Sequence, residues 1–442
     1  MNKYYPRVKH QVVFKHTPLR DYLLFGKSAL EVDGSVKEVL QQCDGCHTVE
    51  EIAEWAAQRE GEPVEAVYEE VEQFLNTLYE EGVITYRESP DYLPPIYAYD
   101  RPLSVVWEIT YACNQKCRYC ISRAGNPHPD ELSLEEIDTV LDELIELQVG
   151  LINITGGDTM LRKDAALHIG RRASQNGIDL QLLTNGMLLT PEVAQEIYEA
   201  GIQYVQVSLD SARPDVNDWQ RGIKGAWGKT VEGIKNLKNA GVRVKAAAVV
   251  TSETLKYYRE TEAFLKTIAD TVALGRVVPL GRGTHSSCLL TPEMHYKLLE
   301  LGCTIKGNLA DFILCKEGCS IGTTPVIAPN GDVYPCMFTK YEELKLGNVR
   351  ETSIQSIYEN SAILSELFNC TVDKIEPCRT CWNRYYCGGG CRGCAFAYHG
   401  TIYKNDLYQC AARKKLAKEL LKRGHPSTRK ALQELISLAR SG

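Results

Sequence analysis

The stretch Cys113-Asn114-Gln115-Lys116-Cys117-Arg118-Tyr119-Cys120 places three cysteines within eight residues, directly after an apolar run over 104–110. Three thiolates on one tight loop can hold three irons of a four-iron cluster, which leaves the fourth iron without a protein ligand. A zinc loop is the competing reading, and the segments around the loop decide between them.

Outward from the loop, strand-like runs at 105–109, 151–155, 180–184, 204–209, 242–250 and 272–280 alternate with helical patterns that start near Ser133, Asp164, Pro191, Thr230 and Leu255. Ser133 with Glu136 reads as a capping box, and Thr190 before Pro191 as a cap with a first-turn proline. Gly177, Gly201 and Gly241 stand where helices should stop. Six such units predict parallel strands with right-handed crossovers, hence an α/β open six-stranded partial barrel. Ligands in such sheets sit at the C-terminal strand ends. The cysteine loop follows the first strand, Thr155-Gly156-Gly157-Asp158 the second and Thr184-Asn185-Gly186 the third, while Ser208-Leu209-Asp210 ends the fourth.

At 442 residues the chain is expected to form two or three domains. Its 44% apolar and 24% charged content is that of a soluble globular protein. A net charge of −7 weighs against nucleic acid as the main partner. The polar N-terminus lacks a signal-peptide core, and no apolar run approaches a membrane span, so a cytoplasmic protein without a membrane partner is expected. Seventeen cysteines are far too many for an ordinary cytosolic enzyme. Disulfides are disfavoured in that compartment, so clustered cysteines read as metal ligands.

Before residue 96, short strands at 12–14, 22–25 and 29–32 precede helical patterns at 36–42, 49–59 and 64–81 and a closing strand at 83–86. This is a winged-helix-like α+β pattern, with Thr48 and Glu51 as a capping box. Its acidic helices are hard to reconcile with a phosphate-backbone footprint. Cys43 and Cys46 flank Asp44-Gly45 beside His47, with no second ligand pair nearby, and a packing role for Cys43 is the better reading. A proline-rich linker follows at 89–101. Beyond residue 306 the cysteines recur as Cys319, Cys336, Cys378, Cys381, Cys387, Cys391 and Cys410, with Gly331 between the first two.

The loop spacing, with Tyr119 before its third cysteine, resembles the radical S-adenosylmethionine (SAM) superfamily. The resemblance implies a SAM cluster on Cys113, Cys117 and Cys120 whose open iron chelates the methionine end of SAM. Cleavage of SAM would yield a 5′-deoxyadenosyl radical that abstracts a substrate hydrogen, the cofactors carrying the chemistry. It also implies that Tyr119 lies against adenine and that Gly156 and Gly157 approach methionine. Asp158 stands where the family's glutamate is usual, and Thr159 where its proline is. Ser208 and Asp210 resemble the ribose-contacting strand end. Arg221, in Gln220-Arg221-Gly222-Ile223-Lys224-Gly225, resembles a loop of peptide-modifying members and is either a partner for the SAM carboxylate or a solvated arginine. Residues 276–283 resemble those members too, with no role assigned.

The C-terminal cysteines and Gly331 match the pattern of the SPASM domain residue for residue; a zinc ribbon does not explain the glycine-linked first pair. The resemblance implies two auxiliary clusters, so three [4Fe-4S] clusters in all. One would be held by Cys378, Cys381, Cys387 and Cys410, the other by Cys319, Cys336 and Cys391 with Cys315 as fourth ligand. Cys288, Cys303, Cys370 and Cys394 match no ligand position, although Cys394 rivals Cys391. Residues 1–95 resemble the precursor-peptide recognition domain of ribosomal peptide maturases, in which a leader adds as a strand to the sheet edge. The expected division is therefore 1–95 for recognition, 96–305 for the radical SAM barrel, 306–425 for the SPASM domain and 426–442 for a helical tail. Enzymes of this order mature ribosomally made peptides with electrons from a flavodoxin- or ferredoxin-type donor. The expected product is an intrapeptide thioether. The rivals are another peptide modification (a carbon–carbon link, epimerisation or decarboxylation), sulfatase maturation and tetrapyrrole modification.

Overall fold

The computed structural model describes residues 4–8, 12–16, 21–25, 28–90, 101–284, 287–302, 321–424 and 426–441. The N-terminal elements are β1 (Tyr5–Val8), β2 (Val12–His16), β3 (Asp21–Phe25), β4 (Ser28–Val32), α1 (Gly34–Gln42), α2 (Val49–Glu60), α3 (Val64–Glu80) and β5 (Ile84–Arg87). β2, β3 and β4 form an antiparallel meander, and β1 pairs with β5. β1 is not legible in the sequence, because Pro6 interrupts its only apolar alternation. Thr48 and Glu51 close the expected capping box on α2. Val67, Val71, Leu75 and Leu78 form one stripe of α3 and pack with Leu40, Ile52 and Ile84 into a core that belongs to this segment alone. Cys43 lies inside that core and its thiol donates to the Val39 carbonyl, while His47 rests on Asp44 at 3.0 Å.

The barrel runs β6 (Ser104–Thr110), α4 (Leu134–Glu146), β7 (Leu151–Gly156), α5 (Lys163–Gln175), β8 (Asp179–Thr184), α6 (Pro191–Glu199), β9 (Tyr204–Ser208), α7 (Pro214–Arg221), α8 (Ala226–Asn239), β10 (Arg243–Val250), α9 (Tyr258–Ile268) and β11 (Thr271–Arg276). The six strands lie parallel in the order β11-β10-β9-β8-β7-β6. The capping box at Ser133, the Thr190 cap and the helix-stopping glycines are all present. The sixth strand stops at Arg276, short of 280, where the chain leaves the sheet towards Pro279. The short helix α7 is the other departure, since the sequence reading left 214–221 without an element.

Beyond the barrel come α10 (Pro292–Gly302), β12 (Val326–Ile327), β13 (Asp332–Tyr334), β14 (Gly347–Asn348), α11 (Ile354–Asn360), α12 (Ala362–Phe368), α13 (Arg384–Cys387), α14 (Arg392–His399), α15 (Leu407–Arg423) and α16 (Pro426–Ser441). β12 lies parallel to β6, with Val326 beside Val106 and Ile327 beside Trp107, so the sheet reaches nine strands. Gly331 turns the β12–β13 hairpin at φ +85°. Ile327 and Val333 join Trp107, Ile154, Leu182 and Val205 in one buried core. Each such side chain removed from water contributes about 1.5–3 kcal/mol, so the hairpin is anchored on the barrel's first strand. No helix among the described residues is long and apolar enough to cross a membrane.

Candidate functional site

β6 ends at Thr110 and the cysteine loop closes on itself. Gly125 N donates to Tyr111 O, and Cys113 N to Gly125 O, both at 2.9 Å. The end of α7 braces the loop, with Lys116 N donating to Arg221 O and Arg118 N to Gln220 O at 3.1 Å each. Arg282 braces it from the other side, donating to the Cys117 carbonyl at 2.8 Å and the Ala124 carbonyl at 2.9 Å. Underneath lies the β7 turn. A Cβ on Gly156 would meet Thr110 O at 2.2 Å, and one on Gly157 would meet Ala112 O at 2.0 Å. Glycine is required there because the turn presses backbone against backbone.

Cys113, Cys117 and Cys120 line a cavity of about 350 Å³ at the C-terminal strand ends, within the ~300–1,000 Å³ of small-molecule sites. Of the residues expected to touch SAM, Tyr119, Gly156, Gly157, Ser208 and Arg221 share its walls. Asp158 and Asp210 do not. Asp158 is buried beneath the turn, where it accepts from Asn185 N at 2.8 Å and Met160 N at 2.9 Å and so ties β7 to the end of β8. Asp210 accepts from the Tyr119 hydroxyl at 2.6 Å, the Arg221 guanidinium at 2.8 Å and Val249 N at 2.9 Å.

Arg221 is thus not solvated: it stands in the cavity wall, held against Asp210. Its side chain and that of Asp210 are 7% and 0% exposed, and their closest approach is 2.7 Å. A buried guanidinium needs a counter-charge, and α7 is the element that delivers it to one. Burial pushes the Cys117 thiol up to about 11, against the lowering pull of Arg221. Such a thiol keeps its proton at neutral pH unless a metal centre displaces it.

In the C-terminal region Cys378 and Cys381 flank one tight turn, Cys387 ends α13 and Cys410 lies in the first turn of α15. Burial pushes the Cys378 thiol up to about 12, and the charges of Cys387, Cys410 and Cys381 add to the effect, so those three lie within electrostatic reach of Cys378. A second cavity, of about 460 Å³, is walled by Cys336, Cys387 and Cys391. Cys394 is not in that wall. It packs against Val278 and Leu280 and donates to Cys391, which holds the Cys391 thiol below the usual thiol range. Cys315 and Cys319, like Cys303, lie outside the described residues.

Among the described residues no three His, Cys, Asp or Glu side chains converge as the ligands of a single ion do; cluster thiolates instead bind separate irons. Sets of soft thiolates, together with a glycine cradle that a Cβ would fill, fit iron–sulfur clusters and SAM. Glu108, Arg276 and Arg282 also line the first cavity. Sequence reasoning gave them no role, although Arg276 and Arg282 fall in the stretch singled out by resemblance.

Three family models match the chain: the radical SAM superfamily over residues 107–270, an iron–sulfur cluster-binding domain over 319–382, and coenzyme PQQ synthesis protein D over 23–84. The mycofactocin maturase MftC of Mycolicibacterium smegmatis is 32% identical over 67% of this chain and 80% of its own length. The AdoMet-dependent heme synthase of Oleidesulfovibrio alaskensis is 29% identical over 71% and 88% respectively. Among solved structures, Streptococcus suis SuiB bound to S-adenosylmethionine superposes with a TM-score of 0.62 over 91% of this chain and 99% of its own, at 15% identity. Native anSMEcpe with bound AdoMet does so with a TM-score of 0.58 over 77% and 100%, at 20% identity. The glycine cradle, the paired cysteine sites and these matches converge: the chain belongs to the radical SAM/SPASM family of ribosomal-peptide maturases.

Proposed function

We propose that this chain installs intrapeptide thioether links, from cysteine sulfur to carbon, in a ribosomally synthesised precursor peptide. One observation carries the reading. The cysteine-loop cavity and the cavity beside Cys336 and Cys391 share Arg276, Met337 and Phe338 as walls. A peptide lying across that junction would present one residue to the radical source and another to the auxiliary cysteines.

Bound SAM and its cluster supply the 5′-deoxyadenosyl radical. Cys113, Cys117 and Cys120 hold that cluster. Tyr119, Gly156, Gly157, Ser208 and Arg221 shape the SAM pocket, and Asp210 holds Tyr119 and Arg221 in its wall. Cys378, Cys381, Cys387 and Cys410 hold one auxiliary cluster; Cys336 and Cys391, with Cys319 and Cys315, hold the other. Residues 1–95 bind the leader, 96–305 form the radical SAM barrel, 306–425 carry the auxiliary clusters and 426–442 form a helical tail. β2 and β4 each pair only with β3 among the described residues, so the meander has an edge at which a leader strand can add. The enzyme works in the cytoplasm with a flavodoxin- or ferredoxin-type electron donor.

The mycofactocin maturase relative favours a second reading, another radical modification of a precursor peptide. The heme synthase relatives raise tetrapyrrole modification, against which the recognition-domain match at 23–84 weighs. The test is the precursor encoded by a short open reading frame beside this gene, incubated with reconstituted enzyme, SAM and reductant. The expected product is lighter by two hydrogen atoms per link and its linked cysteine resists iodoacetamide. A product of unchanged mass that carries solvent deuterium would overturn the thioether reading in favour of epimerisation.

A further inference from the structure

We infer that Arg276 is a carboxylate-binding residue that anchors the peptide substrate where the two cavities meet, an inference that rests on the maturase reading above. Arg276 is the last residue of β11 and lines both cavities together with Met337 and Phe338. Its Nε is buried and makes no hydrogen bond among the described residues. Every other arginine in these walls is committed among the described residues: Arg221 to Asp210, Arg282 to the carbonyls of Cys117 and Ala124, and Arg413 to Gln409. Arg276 has no such partner there.

No hydrogen bond or ion pair joins Arg276 to a carboxylate among the described residues, while its charge reaches Cys391, Cys394, His295 and Tyr408. His295 is buried and holds no positive charge at neutral pH. A half-buried guanidinium with unused hydrogen-bond donors is costly, and a ligand that brings a carboxylate to them removes the cost. The guanidinium fork matches a carboxylate in two parallel hydrogen bonds. That carboxylate has two sources, SAM or the peptide. Gly156, Gly157 and Ser208 line only the first cavity, whereas Arg276 faces both. It therefore stands at the end turned towards Cys336 and Cys391, in the path of the peptide. The chemical class of the ligand is an acidic side chain or the C-terminal carboxylate of the peptide core.

The experiment uses reconstituted full-length enzyme and the synthetic precursor, with its core carboxylates neutralised one at a time (Asp to Asn, Glu to Gln, C-terminal acid to amide). With wild type, one of these forms should show a KM raised about tenfold or more, the size expected when a buried charge loses its partner. Arg276→Gln should show the same rise with the native peptide and no longer distinguish that form from it, and Arg276→Lys should recover part of the difference. Wild type that processes every neutralised form alike overturns the inference and leaves the maturase reading intact; this arm needs no variant to fold. Wild type that leaves the native precursor unmodified overturns the maturase reading and this inference with it. A tenfold loss of SAM affinity in Arg276→Gln would assign the guanidinium to the SAM carboxylate, and a shifted auxiliary-cluster potential with unchanged acid–amide discrimination would assign it to the cluster. Either result overturns the proposal.

Discussion

The ammonium of Lys340 lies 2.8 and 2.7 Å from the two carboxylate oxygens of Glu108. Glu108 is on β6 with its side chain 1% exposed, and Lys340 comes from the loop just beyond Cys336. Ser122 Oγ donates to the same carboxylate at 2.5 Å and the Tyr111 hydroxyl at 3.2 Å. Residues flanking the cysteine loop on both sides therefore meet the C-terminal region at one buried charge pair, in the wall of the first cavity.

Removing one partner of that pair should cost more than removing both. Lys340→Met strands a buried carboxylate, for which about 3–5 kcal/mol is expected. Glu108→Gln combined with Lys340→Met leaves no uncompensated charge and should unfold at a higher temperature than Lys340→Met alone. Thermal melts of the four proteins give the coupling directly. Strictly additive losses would show that the two side chains stabilise the fold independently.

Stability should fall on mild acidification through His295. Its Nδ1 lies 3.2 Å from Tyr408 O, so the ring N–H donates to that carbonyl, and the residue is 0% exposed. Burial, followed by the charge of Arg276, lowers its pKa to about 4. The unfolded chain takes up a proton as pH falls through about 6.5, while the folded ring stays neutral until near pH 4. The unfolded state binds more protons in that window, so this contribution is complete above pH 6.5 and is lost as pH drops towards 4. The loss is on the order of 3 kcal/mol at the acid end. Melting temperatures from pH 7.5 to 5 should decline less steeply for His295→Phe than for wild type, and parallel declines would assign the acid sensitivity elsewhere.

Cluster content should separate the two sets of cysteines. Three four-iron clusters imply about twelve irons per chain. Replacing Cys113, Cys117 and Cys120 together by Ala should remove about a third of them and abolish formation of 5′-deoxyadenosine, with auxiliary absorbance retained. Mössbauer spectra and iron analysis read the first quantity and chromatography the second. A wild type with about four irons would mean that the C-terminal cysteines hold no clusters.

What the sequence made legible was local. The cysteine loop, the caps at Ser133 and Thr190 and the alternation of six strands are periodic or closely spaced signals. The partners of Arg221 and Glu108 are not: Lys340 lies 232 residues from Glu108, and Asp210, though 11 residues from Arg221, is joined to it by no periodicity. The burial of Arg221 against Asp210 was not legible because α7 was not recognised. Pro214 starts that helix and Gly222 ends it, but Asn217 and Gln220 on its inner face are polar, so it lacks the apolar stripe by which helices are found. β12 escaped for a different reason. Two residues, Val326 and Ile327, are too short for a pattern, and only their fit beside Val106 and Trp107 makes them a strand.

The last prediction concerns the N-terminal segment. Its core is built from residues between Val8 and Ile84 alone, while Trp107, Ile154 and Val205 belong to a separate one. Deleting residues 1–95 therefore removes one core and leaves the other whole. The cysteine loop is braced by Arg221 and Arg282, both within the barrel, so the truncated enzyme should still cleave SAM without peptide at a rate near that of the full chain. Its affinity for the precursor should fall by tenfold or more, because β-augmentation on the lost meander supplies main-chain hydrogen bonds that the core peptide cannot replace. Fluorescence anisotropy with labelled precursor reads the affinity, and anaerobic chromatography of 5′-deoxyadenosine reads the cleavage. Equal affinity of the two proteins would place the leader site elsewhere. Loss of SAM cleavage together with affinity would show that the N-terminal core supports the barrel, which its separate packing argues against.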